Sequence, residues 1–243
     1  MCQHGSRIGR STLSQLLEHH HEIIEMLENG ENVCSIYLDS AKAFDKCDIG
    51  ISLHTLKDLG ITGKLEKWIN NCLTKRKQQV LVNGVTSNVT NVTSGVPQGT
   101  VLGPILFLIY ISDIGTNISA MKKVYVDDTK IKKGINKEED VEDLQEDLEK
   151  LYAWAKNNNM VFNGSKFQVM RYGDNEDLKN DTNYFTNDTT DIIERFETIR
   201  DLGVTLSDDA TFNMHIQKVV RQRTGWVLRN FLFKKSSLYE NII

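Results

Sequence analysis

The sequence predicts an α+β fold in which strands and hairpins are interleaved with amphipathic helices. The 243 residues are 40% hydrophobic and 26% charged, a composition typical of a globular domain with an ample core. Two features predict hairpins: the turn pair Asn83-Gly84, and the acidic pair Asp127-Asp128 inside an apolar, β-branched run. The chain shows no internal repeat, so the mixture of elements indicates α+β architecture.

The first half of the chain predicts helices around one buried strand. Ser11 or Thr12 begins an amphipathic helix that ends at Asn29-Gly30. The stretch "VCSIYLDS" predicts a central strand that ends at Asp39, and residues 52–77 predict two helices separated at Gly60–Gly63. We expect the inner side of the first helix to consist of Leu13, Leu16, Leu17, Ile23, Ile24 and Leu27.

The second half predicts hairpins, a glycine-rich loop and further helices. "QQVLVNGVTSNV" predicts a hairpin, and "SGVPQGTVLGP" a loop that leads into a helix with Pro104 in its first turn. "VYVDDTKI" predicts strands 123–126 and 129–131, with the two aspartates at the tip. The later expectations are an acidic helix with a solvated face and Val141, Leu144, Leu148 and Leu151 inside, a strand "FQVMRYG", a surface loop at 174–191, a short strand "DLGVTL", and a basic helix over 212–233.

Charge and cysteine content narrow the class of protein. The net charge is −4, but the acidity is local, because residues 136–200 carry 8 Lys+Arg against 16 Asp+Glu. The four cysteines stand far apart, which favours reduced thiols over zinc or disulfides. No apolar run is long enough for a membrane span, and no signal peptide is visible; we expect an intracellular protein, nuclear or cytoplasmic.

The adjacent carboxylates Asp127 and Asp128 allow two interpretations. They could mark a hairpin turn, since Asp is a common turn residue, or they could bind a divalent metal ion through oxygen ligands. If the strand that ends at Asp39 neighbours this hairpin, three carboxylates converge without a basic residue obliged to pair them. Such a cluster can hold two metal ions about 4 Å apart, as polymerases and nucleases do.

Six segments in order resemble the motifs of reverse transcriptases from non-LTR (LINE-like, jockey-type) retrotransposons. "YLDSAKAFDKCD", "SGVPQGTVLGPILFLIYISDI" and "VYVDDTKI" resemble the three central motifs. "QHGSRIGRST" resembles the motif before them, and "NGSKFQVM" and "IRDLGVTLSDDATFNMHI" resemble the two after them. The resemblance covers nearly the whole chain. It implies the palm of a right-hand polymerase fold, an antiparallel sheet packed on helices, with partial fingers and thumb.

The resemblance implies a catalytic centre with two Mg²⁺ ions, for which Mn²⁺ could substitute. Asp39, Asp127 and Asp128 would be the metal-binding carboxylates, and Asp39 and Asp127 would bridge both ions. Lys166 matches the lysine proposed to protonate the leaving pyrophosphate; considered alone, it could equally be a surface lysine. The implied partners are an RNA template, a DNA primer and dNTPs.

The resemblance also implies substrate-binding residues. Phe44 matches the bulky aromatic residue that excludes a 2′-hydroxyl, although without the family it could be an ordinary core residue. The flanking glycines Gly95, Gly99 and Gly103 would let backbone approach the substrate. The other implied roles are phosphate clamping by Arg7 and Arg10, backbone donation to the triphosphate by Lys42 and Ala43, contact with the nucleotide by Gln98 and Gly99, and a position near the primer end for Tyr125.

The departures from the family pattern leave alternatives open. Ser6 replaces an aromatic residue, Ile49 stands where histidine is common, and "YVDD" replaces "FADD", but none of these removes a metal ligand. We expect a palm with a remnant of the fingers at 1–173, a surface loop at 174–191, and the palm–thumb junction with the start of a thumb at 192–243. The alternatives are a truncated, catalytically feeble copy that only binds nucleic acid, and an RNA-dependent RNA polymerase.

Overall fold

A four-stranded antiparallel sheet forms the centre of the protein. The computed structural model describes residues 3–173, 183–186 and 191–224. The sheet consists of β1 (Val33–Leu38), β6 (Met121–Tyr125), β7 (Asp128–Gly134) and β8 (Gln168–Tyr172). In space the order is β6-β7-β1-β8, so the strand that precedes Asp39 lies between the acidic hairpin and β8. The predicted α+β class is confirmed.

The described residues also form three smaller antiparallel pairs. Asn83 and Gly84 both have positive φ and form the turn of the predicted hairpin. The stretch "DLGVTL" was expected to be one strand, and this is wrong: Leu202 and Gly203 have positive φ and join two strands. The pairs are β2 (Lys77–Gln78) with β5 (Thr90–Asn91), β3 (Leu81–Val82) with β4 (Val85–Thr86), and β9 (Thr198–Asp201) with β10 (Val204–Ser207).

The helices follow the predicted order. Ser11 is the N-cap of the first, and its hydroxyl and that of Ser14 form a capping box. The described helices are α1 (Thr12–Glu28), α2 (Ala43–Lys46), α3 (Ile49–Asp58), α4 (Gly63–Leu73), α5 (Leu102–Tyr110) and α6 (Glu138–Asn157), with helical backbone again over 213–224. No helix among the described residues combines the length and apolar character needed to cross a membrane.

The two faces of the sheet carry different cores, because strand side chains alternate. Cys34, Ile36 and Leu38 of β1 join the larger apolar cluster with Phe107 of α5 and Leu148 of α6. The intervening residues of β1 face a smaller cluster that includes residues of α1 and of the β9–β10 hairpin; its buried members are Ile23, Val33, Tyr37, Met170, Tyr172, Ile199 and Leu206. The central strand is therefore covered on both faces, as its apolar run predicts.

Some expectations about burial are wrong. On α1, Leu16 and Ile23 are buried, whereas Leu13 and Leu17 are exposed. On α6, Asp147 is fully buried rather than solvated: its Oδ2 accepts hydrogen bonds from the backbone N–H groups of Ser119 and Ala120 and from the Ser119 hydroxyl.

Among the described cysteines, Cys34, Cys47 and Cys72 are free thiols.

The proposed division of the chain stays a prediction. Residues 174–182 and 187–190 of the expected surface loop lie outside the described residues, as do residues 225–233 of the expected basic helix. Within the loop range, Tyr184 is buried and Phe185 forms a bridge with Ile192.

Candidate active site

Strand register brings the predicted carboxylates to one end of the inner strands β1 and β7. We call this end of the sheet, with Asp39, Asp127 and Asp128, the carboxylate edge. Leu38 of β1 pairs with Thr129 of β7, so the next positions along these antiparallel strands are Asp39 and Asp128. Tyr125 pairs with Asp128 to close the β6–β7 hairpin, whose turn is Val126-Asp127. The expectation that both aspartates occupy the tip is thus wrong by one position: Asp127 is in the turn, and Asp128 is the first residue of β7.

The three carboxylates influence one another electrostatically. Desolvation raises the pKa of Asp127, and the charge of Asp39 raises it further. Desolvation, together with the charges of Asp127, Asp201 and Asp39, raises the pKa of Asp128 to about 6. This cluster repels additional negative charge, so a bound cation would stabilise its ionised form.

The donor set fits a hard divalent ion, since carboxylate oxygens are the ligands that Mg²⁺ prefers. No group of three His, Cys, Asp or Glu side chains within the described residues already forms a complete arrangement for a metal ion. Asp39 and Asp128 line one cavity of about 430 Å³, and Asp127 is adjacent in the turn. The carboxylates therefore share an edge and an electrostatic environment.

Two lysines lie at this cavity, contrary to the expectation that no basic residue pairs with the carboxylates. Lys166 Nζ is 3.2 Å from Asp39 Oδ2, and both side chains are partly exposed. Lys130, two residues after Asp128, is buried and forms an ion pair with the buried Asp201 of β9. This pair connects the strand that carries Asp128 to the β9–β10 hairpin.

The glycine-rich loop is attached to the segment that follows Asp39. Backbone hydrogen bonds run from Gly95 N to Cys47 O (2.7 Å) and from Val96 N to Phe44 O (2.9 Å). A Cβ at Gly95 would lie 2.8 Å from Phe44 O, so only glycine allows this approach. Gln98 Nε2 donates to Asp45 Oδ1 at 2.8 Å. The structure thereby brings Phe44 and Gln98, predicted to contact the nucleotide, into one unit.

Phe44 has a fixed orientation within this unit. Its ring stacks on Phe107 of α5, with 4.3 Å between centroids and 16° between planes. Lys42 adopts the left-handed region (φ 54°) immediately before α2, and Ala43 is buried. Gly99 also has positive φ (74°) and is exposed beside Gln98.

The remaining predicted residues lie outside that cavity. Arg10 is engaged in an ion pair with Glu18 of α1, and Arg7 is exposed near it in the chain. Tyr125 is half-buried in the closing pair of the hairpin, next to the carboxylates. Neither arginine is among the described residues that line the cavity with Asp39 and Asp128, so their phosphate-clamping role stays a prediction.

Sequence reasoning missed Lys130 and Asp201. Both line the cavity, and burial lowers the pKa of Lys130, which Asp201 opposes. A signal was available: in "DDTKIKK", strand alternation places Lys130 on the same face as Asp128. For Asp201 no comparable signal existed, since the turn at Leu202-Gly203 was not anticipated.

Comparison with known proteins shows which sequences this chain is similar to. The family model described as "Reverse transcriptase (RNA-dependent DNA polymerase)" matches residues 2–206. The RNA-directed DNA polymerase from mobile element jockey of Drosophila melanogaster is 28% identical over 99% of this chain and 28% of its own length. The jockey polymerase of Drosophila funebris is 31% identical over 68% of this chain and 19% of its own length. The chain spans less than a third of either relative.

Solved structures show the same fold at low identity. Apo telomerase from Candida tropicalis, truncated from its C-terminal domain, aligns with 85% of this chain and 39% of its own at a TM-score of 0.56 and 10% identity. Telomerase from Candida albicans, in complex with a fragment of telomeric RNA, aligns with 85% of this chain and 34% of its own at a TM-score of 0.55 and 12% identity. The likeness confirms the expected right-hand polymerase fold.

Proposed function

Because this chain belongs to the reverse transcriptase (RNA-dependent DNA polymerase) family, we propose that it is the polymerase domain of a non-LTR retrotransposon protein, copying RNA into DNA. The observation that carries the proposal is the register that puts Asp39 and Asp128 at neighbouring positions, with Asp127 in the adjoining turn. The reaction joins a primer 3′-hydroxyl to the α-phosphate of a dNTP and releases pyrophosphate.

Asp39, Asp127 and Asp128 would hold divalent ions through their carboxylate oxygens. Burial and the charges of neighbouring carboxylates raise the pKa values of Asp127 and Asp128, and a bound cation would favour their ionised forms. When bound, two such ions supply activation of the attacking hydroxyl and neutralisation of charge on the leaving group. The protein's own contribution is the strand register, which puts Asp39 and Asp128 at neighbouring positions with Asp127 in the adjoining turn.

Lys166 would act on the leaving group. Its ammonium group lies 3.2 Å from Asp39 Oδ2, which keeps it at the carboxylate cluster. As the bond between the α- and β-phosphates breaks, the pyrophosphate oxygen gains negative charge, and Lys166 Nζ can donate a proton to it. Asp39 therefore positions Lys166 as well as serving as a metal ligand.

Phe44 and Gln98 would select the nucleotide. The Phe44 ring cannot move away easily, because it is stacked on Phe107 and is held by the loop at Val96. A ring fixed beside the sugar would clash with a 2′-hydroxyl and so favour dNTPs over rNTPs. The Gln98 amide nitrogen donates to Asp45, and the Gln98 carbonyl oxygen would be the atom that accepts a hydrogen bond from the nucleotide.

The test is primer extension on poly(rA)/oligo(dT) with dTTP and Mg²⁺ or Mn²⁺. We expect the chain to extend the primer, and we expect Asp127→Ala to reduce the rate by about 10³-fold or more, since charge neutralisation by metal ions is worth several kcal/mol. The matched control is Asp58→Ala, which removes an exposed aspartate of α3 and should extend at the parental rate.

A nucleotide-choice measurement separates the alternatives. Incorporation of UTP on the same template should be far slower than incorporation of dTTP. Phe44→Ala should lower the ratio of the dTTP rate to the UTP rate by roughly 10-fold or more. Extension that survives Asp127→Ala would contradict the proposal. Tight binding of template–primer by folded protein without any extension would instead identify a module that only binds nucleic acid.

A further inference from the structure

The catalytic turn has an unfavourable backbone conformation at Val126. Val126 has φ 59°, in the left-handed region that β-branched residues rarely adopt. It is the first residue of the two-residue turn, directly before Asp127, and the pair Tyr125–Asp128 closes the hairpin around it. Such a conformation persists only where the surrounding structure holds it in place.

The side chain of Gln3 holds both polar backbone groups of Val126. Gln3 Oε1 accepts from Val126 N at 2.9 Å, and Gln3 Nε2 donates to Val126 O at 3.1 Å. The same Oε1 accepts from Gly5 N at 2.7 Å, which fixes the orientation of the amide. Gln3 is 6% exposed, so little water competes for these hydrogen bonds.

Gly5 allows this close approach. A Cβ at Gly5 would lie 2.5 Å from Val126 Cγ2 and 2.7 Å from Val126 N, closer than real Cβ contacts come. The φ angle of Gly5 is not in the left-handed region, so the requirement here is one of space rather than backbone conformation. The N-terminal segment therefore fits against the turn itself.

Residues 3–5 are anchored on two sides. His4 N donates to Val124 O at 2.8 Å, and Gln3 forms a parallel bridge with Val124 of β6. The His4 ring contacts Ser14 Oγ and Glu18 Oε2 of α1, each at 3.2 Å. Gln3 can thus transmit the position of α1 and β6 to the turn.

We propose that Gln3 is a positioning residue of the catalytic site: its carboxamide holds Val126 in the left-handed conformation and so sets the placement of Asp127. Gln3 acts through the backbone of Val126 and touches no substrate. We call the two hydrogen bonds between the Gln3 side chain and the Val126 backbone the Gln3 clamp. Its catalytic role rests on the proposed function, but the clamp itself can be tested without any polymerase activity.

The first test measures amide hydrogen exchange over residues 123–129 of the folded, metal-free chain. Gln3→Leu should raise exchange there by about ten-fold and leave β8 unchanged, because the hydrogen bonds that hold the turn are lost. The matched control is Gln15→Leu, which removes another fully buried glutamine. No described residue hydrogen-bonds its amide atoms, and it should leave the turn unchanged.

Two further variants keep the test decisive if Gln3→Leu folds poorly. Gln3→Glu retains the acceptor for Val126 N and Gly5 N but cannot donate to Val126 O when ionised, so exchange should rise to an intermediate level. Unchanged exchange at the turn in folded Gln3→Leu or Gln3→Glu would overturn the proposal, whether or not the chain polymerises.

The second test asks whether the clamp acts through backbone strain. Gln3→Leu should lower kcat for extension by about ten-fold with little change in KM for dTTP, because the turn rather than the nucleotide site is loosened. In a Val126→Gly background, where positive φ carries no penalty, the same change should cost less than about three-fold. Equal losses in both backgrounds would overturn the strain mechanism and leave Gln3 as an ordinary buried amide.

Discussion

The two faces of the central sheet differ in what they bury. Against α5 and α6, β1 and β7 contribute Ile36, Leu38 and Ile131, which join one large apolar cluster. Against α1 and the β9–β10 hairpin, β7 contributes Lys130 and Lys132, which are 2% and 1% exposed. Both faces are covered, and the buried charges among the described residues of β7 lie on the second. The carboxylate edge belongs to this second face, because Asp128 alternates in phase with the two lysines.

The buried lysines of β7 on the polar face are both paired: Lys130 with Asp201, and Lys132 with Glu22. Lys132 Nζ donates to Glu22 Oε2 (2.6 Å) and to His19 O (2.9 Å), and lies 3.4 Å from His19 Nδ1. Burial lowers the pKa of His19 well below its usual value, so the ring is neutral and its Nδ1 accepts from the ammonium group. Its Nε2–H then donates to Tyr37 OH at 3.2 Å. The apolar face thus stabilises the fold by burying apolar surface. The polar face instead places charges beside the carboxylate edge, and this has a desolvation cost.

The largest expected effect separates activity from stability on the polar face. Asp39→Asn should reduce primer extension by about 10³-fold or more, because a metal ligand is lost and Lys166 loses its ionic partner. The free energy of unfolding should change by less than about 1 kcal/mol, since the Asp39–Lys166 pair is solvent-exposed. Extension assays and urea denaturation on the same preparations measure the two quantities.

The control for that separation is Lys166→Gln. It should retain partial activity, because it removes a proton donor but no metal ligand. If Asp39→Asn instead unfolds the chain, or leaves extension intact, the assignment of this edge to chemistry is wrong.

A buried ion pair provides the next largest effect. Lys130→Met should lower the free energy of unfolding by about 3–5 kcal/mol, because the buried Asp201 is left without its partner. The double variant Lys130→Met/Asp201→Leu should recover most of that loss, since no uncompensated charge remains. Urea denaturation of the single and double variants measures the coupling between the two sites.

The matched control lies on the same strand. Lys133 pairs with Asp143 of α6 nearer the surface, so Lys133→Met should cost less than about 1 kcal/mol. If Lys130→Met and Lys133→Met lower the free energy of unfolding equally, burial of the Lys130–Asp201 pair does not cause the expected extra destabilisation.

On the apolar face, a substitution that costs a similar free energy of unfolding should leave the rate of primer extension unchanged. Leu148 is fully buried in the large cluster, and Leu148→Ala should cost roughly 2–5 kcal/mol through lost burial and the cavity left behind. The protein that remains folded should extend primers at the parental rate. Leu17→Ala removes the same atoms from an exposed position of α1 and should change stability by less than about 0.5 kcal/mol.

The contrast between the faces also explains what the sequence could predict. Apolar alternation, the Asn83-Gly84 turn and the order of the motifs predict the α+β class, the hairpins and the right-hand polymerase fold. These features are local or follow from a strongly apolar pattern, which is why sequence reasoning finds them. The residues left open whether the strand that ends at Asp39 neighbours the acidic hairpin, and the resemblance to reverse transcriptases implied that the three carboxylates meet; β1 does pair with β7.

Charged residues on the polar face could not be placed in this way. A lysine in a strand indicates solvent, and only the packing of α1 and of the unanticipated β9–β10 hairpin shows that Lys130 and Lys132 are buried. The exposure of Leu17 could not be predicted either, because the apolar side of α1 is wider than the part of the sheet against which α1 packs. The clamp of Gln3 on Val126 joins residues 123 positions apart, a distance over which periodicity carries no information.

Asp147 provides the smallest and most specific test, because it is a buried charge on the apolar side. It occupies the stripe of Leu144, Leu148 and Leu151 and accepts three hydrogen bonds from Ser119 and Ala120. Burial alone would raise the pKa of Asp147, but these hydrogen bonds outweigh it and lower the pKa. A group with a lowered folded-state pKa stabilises the fold above its unfolded pKa, and that contribution is lost as the pH falls through the folded pKa.

Asp147→Asn should therefore destabilise the chain by roughly 1–3 kcal/mol at pH 7, because a charged acceptor becomes a neutral one. The difference from the parent should shrink as the pH falls below about 4, the ordinary pKa of aspartate, because the carboxyl of the unfolded parent then takes up a proton and the stability contributed by the ionised carboxylate is progressively lost. Urea denaturation of both proteins between pH 7 and pH 3 measures this convergence. A gap that stays constant across this range would mean that Asp147 acts through its shape rather than its charge, and that buried charge supports function on one face only.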